Sequence, residues 1–139
     1  METLTAVLLG TLTITSYMPV PEQTDSSPNW TSIGQHVHEM GVAVSQDLLA
    51  SGEACYGDVV GIPGYGLKVV NDVMGETKCA VWVGAECVKR VPIRRAFDIL
   101  VFTKKQEAAV GVRRLPVTVI RSEKRFCSKI QRQRTKGGL

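Results

Sequence analysis

The chain has 139 residues, of which 44% are hydrophobic and 22% charged, and its formal net charge is +4. This length and composition predict one globular domain with a single core, and they exclude a disordered or low-complexity chain. The positive charge is concentrated in the segment 122–139, so it says little about the rest of the molecule. No apolar run is long enough to span a membrane as a helix.

The first predicted element is a β-strand near the N-terminus. Residues 4–12 are apolar and interleaved with threonine, and β-branched residues continue through Thr13 and Thr15 to Tyr17. A secretory signal peptide is the alternative, and we disfavour it because no Lys or Arg precedes the apolar run.

Short strands make up most of the remaining chain. A loop rich in Pro, Ser, Asp and Thr at 19–29 is followed by Val- and Ile-rich runs that predict strands at 41–45, 58–62, 65–70, 80–83, 97–102 and 115–120. Two short helices are predicted: one at 46–49 after Ser45, and one at 104–110 with a capping box formed by Thr103 and Gln106. Many short strands of this kind favour a β-barrel.

The chain contains four cysteines, Cys55, Cys79, Cys87 and Cys127, which allow three complete disulfide pairings. Cys79 and Cys87 are the favoured pair, because they flank the apolar run 80–85, which is typical of a short hairpin arm. The other pairings stay open. His36 and His38 have no zinc-ligand spacing relative to the cysteines, so we expect no metal and no cofactor.

The segment 122–139 is predicted to be a basic C-terminal tail, since it has too few apolar residues for a core of its own. Phe126 and Ile130 are spaced to dock on a partner as one helical turn. The alternatives are a solvated tail and contact with a protein or an anionic wall polymer, whereas the shortage of aromatic residues disfavours nucleic acid. The predicted division is therefore a barrel at 1–121, with an insert at about 74–93, and a tail at 122–139.

Several short phrases of the sequence occur in an order that resembles a known family. They are Tyr17-Met18-Pro19, Val42-Ala43-Val44-Ser45, Gly64-Tyr65-Gly66, Val70-Asn71-Asp72 and Ala96-Phe97-Asp98-Ile99. In this order they resemble the three-aspartate domain family, whose better-known members cleave peptidoglycan as lytic transglycosylases. The resemblance covers roughly three quarters of the chain, 17–120. It implies a mainly β fold, a six-stranded double-psi β-barrel, and peptidoglycan glycan strands as the partner.

The resemblance also implies a site built on two aspartates. Asp98 matches the family's acid/base aspartate, and Asp72 matches a second aspartate that tunes or orients it. Four further residues are expected to contact the substrate: Tyr17, Thr31, Ser45 and Tyr65. The alternative is that both aspartates are structural, and that their side chains only accept hydrogen bonds from backbone groups at strand ends.

Three departures from the family pattern weaken the catalytic hypothesis. Ser45 occupies the position of the family's first aspartate, and Val73 replaces a threonine after the second. The two matched aspartates are 26 positions apart (98 − 72), because the arm at about 74–93, with Trp82, lies between them.

Two function hypotheses follow. The first is a peptidoglycan-directed, lytic transglycosylase-like protein located in a virion or outside the cytoplasm. The second is a non-catalytic structural or adaptor component of a phage particle, for example of its tail or capsid, in which the arm and the basic tail contact other subunits.

Overall fold

The computed structural model describes residues 5–18 and 40–127. Within these ranges the elements, in chain order, are β1 (Thr5–Tyr17), β2 (Gly41–Val44), α1 (Gln46–Ser51), β3 (Val59–Ile62), β4 (Gly66–Val73), β5 (Thr77–Val83), β6 (Glu86–Pro92), β7 (Ala96–Leu100), α2 (Lys104–Val110) and β8 (Arg113–Arg121). None of the helices in this part of the chain has the length and apolar character needed to cross a membrane.

Six strands close into a barrel in the order β1-β7-β2-β4-β3-β8. The pairing is mixed: β1 with β7 and β2 with β4 are parallel, and the other four pairs are antiparallel. The prediction of a mainly β, six-stranded barrel with short helices and a hairpin arm is confirmed. The mixed pairing is compatible with a double-psi arrangement.

The strands fill the barrel with every second side chain, as period-two alternation requires. Leu12 and Ile14 of β1, Val42 and Val44 of β2, and Phe97 and Ile99 of β7 are almost completely buried. The residues between them therefore point to the outer face of the barrel. Polar side chains at those alternate positions are available for a site on the outside.

The two helices begin in different ways. α2 has the predicted capping box, in which Thr103 Oγ1 accepts from Gln106 N at 3.0 Å and Gln106 Oε1 accepts from Thr103 N at 3.1 Å. α1 begins after Ser45, but the Ser45 hydroxyl does not cap the helix. Its oxygen instead accepts from Ala96 N at 3.0 Å, which ties the start of α1 to the start of β7.

β5 and β6 pair with each other in a separate two-stranded sheet, and we call the segment Thr77–Pro92 the hairpin arm. A disulfide joins Cys79 and Cys87, whose Cα atoms are 5.8 Å apart, so the favoured pairing is present. Most side chains of the arm are exposed.

The first residues of the predicted tail are attached to the barrel. Cys127 forms a disulfide with Cys55, with the Cα atoms 4.8 Å apart, and Phe126 pairs through its backbone with Tyr56. The rings of Phe126 and Tyr56 have their centroids 5.1 Å apart. Phe126 and Cys127 also pack against the barrel core, so the described start of the predicted tail is part of the folded barrel. Ile130 lies outside the described residues.

A buried ion pair holds the same segment in place. Asp58 is completely buried, and Arg125 Nη2 lies 2.9 Å from its Oδ2 with Arg125 Nε 3.0 Å from both carboxylate oxygens. Cys55 N and Ser122 N donate to the same carboxylate at 2.9 and 3.0 Å. This pairing satisfies an acid that would otherwise be costly to bury.

We expect Arg125→Leu to lower the free energy of unfolding by about 3 kcal/mol, because it leaves the buried Asp58 without its counter-ion. Glu53→Gln is the matched control: Glu53 pairs with Arg95 at 3.1 Å, but both side chains are more than a third exposed, so the loss should stay below about 1 kcal/mol. Urea unfolding with both disulfides oxidised measures the two values. Equal losses for the two variants would contradict this account of the Asp58 pair.

Candidate active site

Strand pairing brings the two predicted aspartates into one row on the outer face of the barrel. Across β1, β7, β2 and β4, Thr15 lies opposite Asp98, Asp98 opposite Ala43, and Ala43 opposite Asp72. Residues opposite one another in paired strands point to the same face. We call Thr15, Asp98, Ala43 and Asp72 the aspartate row. With one strand between them, the Cα atoms of Asp72 and Asp98 are about 10 Å apart, twice the usual strand spacing.

Asp72 joins this row because of a β-bulge at Asn71. Val42 lies opposite Val70, but the next residue of β2, Ala43, lies opposite Asp72, so Asn71 is an extra residue in β4. Without the bulge, the alternation of side chains would turn Asp72 towards the barrel interior. A one-residue irregularity therefore decides whether the two carboxylates share a face.

Gly41 makes room for the bulged residue. The side chain of Asn71 is almost completely buried, and a Cβ atom placed on Gly41 would lie only 2.6 Å from its Nδ2 and 2.7 Å from its Oδ1. A larger residue at position 41 would have to displace the Asn71 amide. The absence of a side chain at Gly41 thus helps to fix the direction of Asp72.

Asp98 has the properties of a proton donor that works near neutral pH. Its side chain is partly buried, and Thr15 Oγ1 donates a hydrogen bond to Asp98 Oδ1 at 2.7 Å. Burial raises the pKa of Asp98 to about 6; the bond from Thr15 opposes this rise, whereas the charges of Asp72 and Glu107 add to it. A carboxyl group with such a pKa can both give and accept a proton at mildly acidic to neutral pH.

Tyr17 lies on the outer face of the barrel near the aspartate row and forms a hydrogen bond with Asp72. It is 7% exposed and belongs to a small outer cluster with Ala43 and Leu100. Burial raises the pKa of Tyr17 far above its usual range, and the charges of Asp72 and Asp98 and a hydrogen bond with Asp72 raise it further. The phenol therefore stays protonated and donates to Asp72, whose Oδ1 also accepts from Val73 N at 2.9 Å.

Two further predicted substrate contacts, Ser45 and Tyr65, are not part of the aspartate row. Ser45 is completely buried, and its hydroxyl oxygen accepts a hydrogen bond from Ala96 N. Tyr65 lies in the turn before β4, where it lines a cavity of about 270 Å³ together with Leu100 and Phe102. Thr31 lies outside the described residues.

Two residues near Asp98 were not identified from the sequence. Thr15 is signalled by alternation, since it lies two residues from Tyr17 in β1 and so points to the same face. Glu107 lies on α2, the element that follows β7 in the chain, and its charge adds to the rise in the pKa of Asp98 that burial causes. No local pattern connects Glu107 with the aspartates.

Among residues 5–18 and 40–127 no three His, Cys, Asp or Glu side chains converge on a point where they could hold a metal ion. The two histidines, His36 and His38, lie outside these ranges.

A scan of protein-family models finds none that matches this chain, and a search of curated proteins finds no similar one.

We expect the stability of the protein to depend on pH through Asp98. The pKa of Asp98 in the folded protein is about 6, above its ordinary value of 3.8, so the folded state binds this proton more tightly than the unfolded state. The stabilisation is therefore complete below about pH 4 and is lost as the pH rises through about 6. The loss should be on the order of 2 kcal/mol.

The measurement compares urea unfolding of the wild type and Asp98→Asn between about pH 3.5 and 7.5. The wild type should lose stability relative to the variant across the window from about pH 4 to 6 and stay level above it. Stability curves that run parallel throughout would show that the pKa of Asp98 is not raised.

Proposed function

We propose that this protein is a peptidoglycan-directed, lytic transglycosylase-like barrel of the three-aspartate type, with Asp98 as its acid/base. The observation that carries the proposal is the aspartate row. Two carboxylates from distant parts of the chain point to the same outer face, and Thr15 and Tyr17 each donate to one of them. A position on the outside of the barrel suits a polymeric substrate, which cannot enter a closed core.

The chemistry assigned to Asp98 needs no water molecule. The protonated carboxyl gives its proton to the glycosidic oxygen while the bond to the anomeric carbon breaks and the sugar becomes oxocarbenium-like. The carboxylate then takes the proton of the substrate's own C6 hydroxyl as that oxygen attacks the anomeric carbon. The product is a 1,6-anhydromuramoyl end, and Asp98 regains the proton that it started with.

Thr15 and Asp72 support Asp98 in different ways: Thr15 orients its carboxyl group, and Asp72 acts through its charge. Because the Thr15 hydroxyl donates to Oδ1 of Asp98, the exchangeable proton belongs on Oδ2, which directs it to one side of the carboxyl. The charge of Asp72 adds to the rise in the pKa of Asp98 that burial causes, and this carboxylate also stabilises positive charge on the sugar ring. Tyr17 keeps Asp72 in place.

The disulfides support a location in a virion or outside the cytoplasm. All four cysteines are paired, as Cys55–Cys127 and Cys79–Cys87. Disulfides of this kind persist in oxidising compartments and on virion surfaces, and they are rare in the cytosol. Peptidoglycan is reached from the same side of the membrane.

A second function, that of a non-catalytic structural or adaptor component of a phage particle, is favoured by the surface of the hairpin arm. Trp82 is 62% exposed, and the arm has three further exposed apolar side chains: Val81, Val83 and Val88. Apolar surface of this kind is often covered by another subunit. In this alternative the arm and the basic tail contact neighbouring subunits, and the aspartates are structural.

Replacing each aspartate separately with asparagine tests the catalytic proposal. Asp98→Asn keeps the shape of the side chain and its bond from Thr15 but removes the transferable proton, so release of 1,6-anhydro muropeptides from purified sacculi should fall by about 100-fold or more. Asp72→Asn should act more mildly and move the pH optimum downward, because removing its charge lowers the pKa of Asp98.

Mass spectrometry of the soluble products measures release, and sedimentation with sacculi shows whether each variant still binds. Both variants should bind as well as the wild type. Undiminished release by Asp98→Asn would end its assignment as acid/base. Wild-type protein that releases no anhydro product anywhere between about pH 4 and 8 would favour the structural function.

A further inference from the structure

The hairpin arm is attached to the barrel directly beside the aspartate row. β4 is parallel to β2 and β7 is antiparallel to it, so the end of β4 and the start of β7 lie at the same rim. β4 ends at Val73, one residue after Asp72, and β7 begins two residues before Asp98. Ile93 N donates to Glu76 O at 2.9 Å and closes the base of the arm. The two strands that carry the aspartates therefore also carry the arm.

The arm is a preorganised surface. An isolated two-stranded hairpin is only marginally stable in water, but the Cys79–Cys87 disulfide and the β5–β6 pairing hold this one together. Arg90 reinforces its base by donating from Nε to Thr77 Oγ1 at 2.9 Å. Trp82 is thus presented to solvent on a constrained support, which lowers the entropy cost of binding through it.

The arm has exposed basic side chains as well as exposed apolar ones. Val81 lies opposite Lys89 in the pairing of β5 with β6, and Lys78 and Lys89 are both exposed. Near the turn, Val83 lies opposite the acidic Glu86. A charged residue at the tip opposes insertion into lipid, and two basic arms repel each other, so the charge pattern favours neither a membrane nor a second copy of this chain.

We propose that the hairpin arm is a second, non-catalytic binding site for a long glycan that carries carboxylates, so that the protein binds polymeric wall strands more tightly than short fragments. This inference rests on the proposed function and names its substrate class. Trp82 lies five residues beyond Thr77, which places it about 17 Å along the strand from the base of the arm. A long glycan that lies across the aspartate row can also reach Trp82, whereas a fragment of one or two sugars cannot.

The chemistry of the arm matches such a polymer. The broad face of the Trp82 indole packs against the C–H face of a sugar ring, as a large flat apolar surface does. Lys78 and Lys89 attract the carboxylates of the peptides that branch from a wall strand. The combination binds glycan and peptide carboxylate along one line.

Binding is measured in the Asp98→Asn background, which prevents turnover, by sedimentation with purified sacculi. Trp82→Ala should weaken binding by roughly five- to tenfold. Leu67→Ala, which removes another exposed apolar side chain from β4 at a distance from the arm, is the matched control and should leave binding unchanged. The pair Lys78→Gln and Lys89→Gln should weaken binding and reduce its salt dependence.

In a background with Asp98 intact, Trp82→Ala should reduce product release from sacculi but not from short muropeptides. Equal sacculus binding by Trp82→Ala and its Asp98→Asn parent would overturn the inference. Two other results would also overturn the inference. The first is wild-type binding to phosphatidylglycerol vesicles that Trp82→Ala abolishes. The second is a wild-type dimer, seen by analytical ultracentrifugation, that Trp82→Ala abolishes. If binding to sacculi depends on Trp82 but the wild type releases no anhydro product, the catalytic proposal is refuted and the arm is still supported as a glycan-binding site.

Discussion

The pairing of β1 with two different strands is the constraint on which the barrel and the site both depend. Residues 5–14 of β1 pair with β8, residues 13–17 pair with β7, and a register shift beside Gly10, whose φ is 101°, occurs within the first pairing. This arrangement closes the barrel around Leu12 and Ile14. It also places Thr15 opposite Asp98. The same strand pairing therefore closes the barrel and positions the carboxyl group of Asp98.

The position of the second carboxylate depends on a single extra residue. Strand alternation would otherwise turn Asp72 towards the core, where an unpaired charge is costly. The bulge at Asn71 prevents this, and the missing side chain of Gly41 gives the buried Asn71 amide its space. Bulges are common next to active sites because they redirect a side chain without changing the fold.

Local patterns were enough to predict much of the fold. Runs rich in Val and Ile indicated most of the strands, the Thr103 and Gln106 spacing predicted the start of α2, and Cys79 and Cys87 were paired because they flank one short apolar run. Each of these signals acts within a few residues of chain. That six strands form the barrel was expected only through the resemblance to a family, and the order of the strands was not predicted.

The features missed from the sequence depend on contacts between distant residues. Ser45 bonds to Ala96, 51 positions away, and Cys55 pairs with Cys127 at a separation of 72, so neither partner was identifiable from its neighbours. The bulge at Asn71 is a property of the pairing of β4 with β2 and leaves no local mark. Phe126 was assigned to a tail because its segment is basic, yet Arg125 in that segment neutralises a buried acid of the barrel.

In the proposed reaction, Asp98 assists cleavage of a glycosidic bond without the use of water. This proposal can be tested by digesting purified sacculi with the wild-type protein in water enriched in oxygen-18 and analysing the soluble muropeptides by mass spectrometry. We expect 1,6-anhydro ends that contain no heavy oxygen. Reducing ends labelled with oxygen-18 would identify a hydrolase instead, and the absence of any soluble muropeptide would contradict a catalytic role for the aspartate row.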